Sequence, residues 1–284
     1  MAENSSKTYR PYYYSSLNPV QFLSQLASDL QRSREIGWKF FKRDFVVRYR
    51  QSLLGVSWAL IMPVVSVGIF LMLQRSGVLN TQSLTVPYSH YLFFGLTLWY
   101  FFTGLILSVA DIAPSSKSLM ATINLPKFAY VYSPMLMAWT DFLIRLLFFM
   151  ALCLATKTPF NPSTYILALV YSIPLMLLAL GLGLVVTVVN SIARDIKNVL
   201  LLSLQFLMFV SPVVYPLPQT SGALGAAMRL NPLSVLIDTP REVFFGKLTI
   251  PSAEYAAVGF LALIIFFIGA RLYYVASPKM LEIM

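Results

Sequence analysis

Six blocks of apolar residues, at 53–73, 91–110, 128–156, 165–190, 199–215 and 256–276, limit this chain to very few folds. A bilayer core about 30 Å thick is crossed by roughly 20 apolar residues in a helix, and each block approaches or exceeds that length. With 58% hydrophobic and only 11% charged residues, the chain cannot supply the polar surface of one or two soluble domains. The pattern predicts an all-α polytopic membrane protein with six transmembrane helices. The first 35 residues are polar and lack the apolar core of a signal peptide, so the first span is expected to direct insertion.

The formal net charge of +10 is concentrated rather than spread. Nine of the 21 basic residues precede Leu53, next to the first span, where anionic lipid is the nearest partner. Membrane lipid, and not nucleic acid, is therefore expected to meet this charge. Counting Lys and Arg by side fixes the orientation. Those nine with Lys117, Lys127, Arg194, Lys197, Arg271 and Lys279 lie on one side, against Arg75, Lys157, Arg229, Arg241 and Lys247 on the other. Both termini are thus expected in the cytoplasm.

Residues 38–50 read as an amphipathic helix. Trp38, Phe41, Phe45 and Tyr49 share one stripe at helical spacing, while Lys39, Arg43 and Arg50 gather on another side. Rings among headgroups and cations on lipid phosphate suit the membrane interface. The organisation expected is a cytoplasmic N-terminal extension over 1–34, with a helical stretch at 19–32, and an interfacial helix over 35–52. A six-helix transmembrane domain over 53–276 and a cytoplasmic tail over 277–284 follow. Pro63 should kink the first span, its freed carbonyl being satisfied by a neighbour. Between the fifth and sixth blocks, residues 216–255 carry several prolines among short apolar runs and predict two short re-entrant or periplasmic helices. Asn231-Pro232 starts one of them, a capping side chain before proline at the first helical position.

Chemistry-bearing residues are few. Cys153 and His90 are each the only one of their kind, which argues against a disulfide, a zinc hydrolase and Cys/His catalysis. The chain has no Gly-x-x-x-x-Gly-Lys-Ser/Thr phosphate loop and no dinucleotide fingerprint. Asp141 and Arg145 lie deep in the third block at i, i+4 and are expected to form a structural ion pair, a proton or substrate relay being the alternative. Gly181 and Gly183 suit close helix packing. Aromatic faces stack on sugar rings, and Phe70, Phe206, Phe209 and Tyr215 lie in or at the ends of spans one and five; core or lipid-facing packing remains open for each.

Four motifs in order carry a resemblance. They are Arg43-Asp44-Phe45-Val46-Val47-Arg48-Tyr49-Arg50-Gln51-Ser52 with Leu54, Gly55, Trp58 and Pro63; Asn190 with Arg194-Asp195; Gln205-Phe206, Phe209, Ser211-Pro212-Val213 and Tyr215; and Asn231-Pro232-Leu233. Together, over about 38–276, they resemble the permease subunit of type-2 ABC exporters of bacterial polysaccharides: O-antigen, capsule and teichoic acid. The resemblance implies a homodimer in the inner membrane, working with two copies of a cytoplasmic ATPase that binds the ATP and Mg, no cofactor being bound by this chain. It implies a channel at the dimer interface with Trp58, Phe70, Phe206, Phe209 and Tyr215 as lining candidates. Residues 111–127 would couple to the ATPase through Ser115, Ser116, Lys117, Leu119 and Asn124, and 216–255 would form the outer gate. Arg48, Tyr49 and Arg50 would meet the pyrophosphate of a lipid-linked glycan at the entrance. The alternative is a related exporter of a small hydrophobic compound. The N-terminal extension is longer than this resemblance requires.

Overall fold

The computed structural model describes residues 18–50, 55–77, 84, 86–123, 125–158, 162–193, 195–216, 223–246 and 251–283, and among these it contains helices and no strand. The elements are α1 (Pro19–Arg50), a 3₁₀ turn (Gly55–Ser57), α2 (Trp58–Arg75), α3 (Tyr88–Ala110), α4 (Ile112–Thr122), α5 (Ala129–Ala155), α6 (Pro162–Tyr171), α7 (Ile173–Ile192), α8 (Ile196–Phe209), α9 (Ala223–Leu230), α10 (Pro232–Phe244) and α11 (Ser252–Ile283).

The interfacial helix starts sixteen residues earlier than expected, because residues 19–34 continue it without a break. Its start is written locally. Pro19 takes the first helical position, and the Gln21 side chain reaches back to accept the Asn18 N–H at 3.2 Å. Phe22, Leu26, Asp29, Ser33 and Gly37 form the buried stripe, spaced by three and four residues. Gly37 is required there, since a Cβ would sit 2.3 Å from that of Tyr132 on α5. The Trp38–Phe41–Phe45 stripe lies off this packed face, its rings touching in sequence, and Trp38 is exposed.

Among the described residues, five helical segments are long and apolar enough to cross a membrane: Trp58–Arg75, Tyr88–Ala110, Ala129–Ala155, Ser163–Ile192 and Ser252–Pro278. The expected fifth block, 199–215, instead gives α8, whose 14 residues span about 21 Å at the helical rise. It ends at Phe209 because Pro212 cannot continue the ladder and the carbonyls of Val210, Pro212 and Val214 turn to side-chain donors. The expected fourth span is divided at Ser172, where Pro174 opens α7 and Ser172 Oγ donates to the Ala168 carbonyl at 2.8 Å.

α3 is the central post, buried along almost its whole length and packed by α2, α5, α7, α8 and α10. α7 packs closely on both α11 and, through Gly183, Val109 of α3. A Cβ on Gly269 would lie 2.3 Å from the Gly181 carbonyl oxygen, and one on Gly183 would lie 2.9 Å from Val109 Cβ. The two short helices expected in 216–255 are α9 and α10. Asn231 Oδ1 caps α10 by accepting the Leu233 N–H at 3.0 Å, and α10 is buried along its length against α6, α11 and α3.

Candidate functional site

Inside a membrane, a carbonyl that loses its helical partner has no water to turn to, so each in-helix proline sets a local problem. Pro63 removes the bond that the Ala59 carbonyl would accept in α2. Arg145 of α5 supplies the replacement: its Nε donates to Ala59 O at 3.0 Å, and its guanidinium lies 5.4 Å from the Tyr100 ring centre. Pro278 creates the same gap at the Tyr274 carbonyl of α11. There Lys127 Nζ donates at 2.8 Å and Ser277 Oγ at 3.1 Å. Two basic side chains thus repair two proline breaks from a neighbouring element.

Asp141, expected to pair with Arg145, accepts from Arg48 Nη1 of α1 at 3.0 Å, so it joins α1 to α5. Nearer the start of α5, Ser133 Oγ donates to Asp44 Oδ2 at 2.6 Å, and Tyr132 OH donates to the Leu30 carbonyl at 3.2 Å. Arg48 keeps half of its side chain exposed and so retains donors beyond the one given to Asp141. Arg50 is exposed. The Tyr49 side chain lies outside the described residues.

Asp29 is the second anchor of α1. Its Oδ2 accepts from the Phe128 N–H at 3.2 Å and from Tyr274 OH, tying α1 to the segment before α5 and to α11. Burial pushes the Lys127 ammonium down to about 8, with the Asp29 carboxylate working the other way.

The lining candidates divide into two sets. Trp58 on α2 and Phe206 and Phe209 on α8 are exposed, at 48%, 74% and 53%. Phe70 and Tyr215 are half-buried against the core, and Tyr215 OH donates to the Phe209 carbonyl. Only Ala59 and Pro63 of α2, and only Leu204 of α8, are buried among the described residues. Two apolar helices packed on α3 therefore leave most of their surface uncovered by this chain.

Where α8 ends, backbone carbonyls are captured by side chains. Asn231 Nδ2 donates to Val210 O at 3.1 Å, Arg241 Nη2 to Pro212 O at 2.8 Å, Tyr91 OH to the same oxygen at 3.3 Å, and Tyr88 OH to Val214 O at 2.9 Å. Arg241 is 2% exposed, pairs with Asp238 and lies 3.6 Å from the centre of the Tyr91 ring. Irregular backbone at such depth is tolerated because these donors satisfy it. Gly95 leaves the room: a Cβ there would meet Val213 O at 2.6 Å and Arg241 Nη1 at 2.8 Å.

The segment 111–127 holds α4. Asp111 ends α3 and starts α4; its carbonyl accepts Ser115 Oγ at 2.5 Å and its carboxylate takes Lys197 Nζ of α8 at 2.7 Å. Nearby, Thr187 Oγ1 donates to Val109 O at 2.6 Å and Asn190 Nδ2 to Ala110 O at 3.1 Å. Ser115 is exposed, Ser116 is half-buried, and Leu119 packs against the core. The Lys117 side chain and all of Asn124 lie outside the described residues.

Sequence reasoning missed Asp44, Lys127, Asp111, Lys197 and the Arg241 cluster. A signal was present for one of them: Asp238 and Arg241 lie at i, i+3 in the helix that Asn231-Pro232 starts. Among the described residues no group of three or more His, Cys, Asp or Glu is placed to hold a metal. The arrangement holds helices in place and offers uncovered apolar faces.

This is a multi-pass membrane protein, and it belongs to the ABC-2 type transporter family, whose family model matches residues 38–245. It is similar to the O-antigen export system permease protein RfbA of Myxococcus xanthus, at 23% identity over 236 residues covering 81% of this chain and 87% of the relative.

Proposed function

We propose that the chain is the membrane-spanning subunit of an ATP-driven exporter that moves a lipid-linked polysaccharide of O-antigen type across the bacterial inner membrane. The observation that carries this reading is the pair of uncovered helices, α2 and α8, with Trp58, Phe206 and Phe209 on their exposed faces. Two copies placed with these faces toward each other would enclose a passage with aromatic walls, on which sugar rings stack without being held at one site. In this reading α8 with the 210–215 turn completes a sixth crossing, and both termini are cytoplasmic. A separate ATPase dimer docks on 111–127 and supplies the ATP chemistry.

The N-terminal helix fits the entrance. Arg48 and Arg50 stand at the end of α1 next to the start of α2, where a pyrophosphate-linked lipid would approach from the inner leaflet. The similarity to an O-antigen permease favours a glycan over a small hydrophobic cargo. Depletion of the protein, followed by a glycan stain on intact and permeabilised cells, tests the reading. Long glycan should leave the surface and accumulate inside. An unchanged coat would refute the glycan assignment and turn attention to small hydrophobic substrates.

A further inference from the structure

Among the described residues, the polar contacts of α8 with other elements lie at its two ends. Along its length Leu204 alone is buried among the described residues, with Leu200, Leu207 and Met208 half-buried against the core, so one narrow side of the helix is packed and the rest is exposed. The end at Phe209 is locked: residues 211–214 are buried, and four side chains from α3, α10 and the start of α10 occupy the carbonyls of Val210, Pro212 and Val214. The other end is held by the Lys197–Asp111 pair, whose side chains are 40% and 39% exposed.

The placement of Lys197 also needs an explanation. It lies in the first turn of α8, where the helix dipole disfavours a cation, and a carboxylate from a different element offsets that cost. The carboxylate belongs to the residue at which α3 turns into α4. The last turn of α3 is fixed to α7 by the buried Thr187 and Asn190 bonds. A tilt of α4 against that fixed turn therefore falls on Asp111, and from Asp111 it reaches α8.

We propose that Asp111 and Lys197 are positioning residues that transmit movement of α4 to α8, with the clasped 210–214 turn as the pivot. This rests on the reading of 111–127 as the segment that meets the ATPase. When α4 shifts, the pair pulls the first turn of α8 and swings its exposed face, leaving the far end in place.

The test uses membranes containing the chain with its cognate ATPase and a Ser203→Cys reporter on the exposed side of α8, the native Cys153 being buried. The rate of reaction with a water-soluble maleimide is measured with and without ATP. The rate should change on ATP addition with Asp111 and Lys197 intact. Asp111→Asn and Lys197→Gln should each abolish that change while ATP hydrolysis continues, and the swap Asp111→Lys with Lys197→Asp should restore it. A nucleotide response that survives both single changes overturns the proposal. So does a response absent from the parent, or one lost in the single variants and not restored by the swap. Surface glycan measured on the same cells separates the two readings. A nucleotide response in cells whose glycan ignores the chain leaves the link standing and removes the glycan assignment.

Discussion

Replacing Arg145 with Met removes the donor that Pro63 made necessary. The Ala59 carbonyl would lose its 3.0 Å bond, and the Tyr100 ring would lose its cation. A buried carbonyl left without a partner costs about 1–3 kcal/mol, and the cation–π contact about 0.5–2 kcal/mol. Measured side-chain couplings within membranes are smaller, at most about 1.7 kcal/mol, so a total near 2 kcal/mol is expected. The specific claim is that the carbonyl part depends on residue 63. In a Pro63→Ala background, the new N–H closes the α-helical ring onto Ala59 O, and Arg145→Met should cost about 1 kcal/mol less than in the native chain. The lost ring contact and any effect on Asp141 recur in both backgrounds and cancel from the cycle. Unfolding of the four proteins by SDS titration in mixed micelles gives the coupling directly. Additivity to within about 0.3–0.5 kcal/mol would refute the repair argument.

Three further outcomes follow from the geometry. Lys127 loses its proton near pH 8 in the folded protein, against an ordinary value of 10.5. Above pH 8 the unfolded chain holds a proton that the folded one has released, so stability rises with pH through this window. The melting temperature of the native chain minus that of Lys127→Met should therefore increase from pH 7 to pH 10, and a flat or falling difference would contradict the assignment. Gly269→Ala places a methyl group 2.3 Å from the Gly181 carbonyl and should destabilise the α7–α11 crossing by about 1–3 kcal/mol; unchanged thermal melting in detergent would refute it. Replacing Arg48 and Arg50 together with Gln should reduce surface glycan while membrane levels of the protein hold, and undiminished export would remove both residues from the entrance.

Much of this architecture was legible in the residues. Block length gave helical membrane segments, Asn231-Pro232 gave the start of α10, and Pro63 announced a carbonyl in need of a donor. Of the aromatic residues nominated on the same grounds, Trp58, Phe206 and Phe209 are exposed, while Phe70 and Tyr215 lie half-buried against the core. An aromatic residue in an apolar helix carries no mark of its direction, because ring burial and ring exposure use the same residue types.

Local patterns therefore settled what is local: helix type, caps, breaks, and the clustering of charge at one end. Partners across the chain were decided only by the tertiary structure. Asp141 lies one turn from Arg145 in sequence yet accepts from Arg48, 93 positions away, and Asp29 reaches both Phe128 and Tyr274. The fifth apolar block ends early for the same reason. Pro212 marks a break in the sequence, but where the freed backbone turns is decided by side chains of Tyr88, Tyr91, Asn231 and Arg241, which hold the carbonyls of 210, 212 and 214. A hydrogen-bond donor's identity is written in the sequence; which acceptor it reaches depends on how distant helices pack.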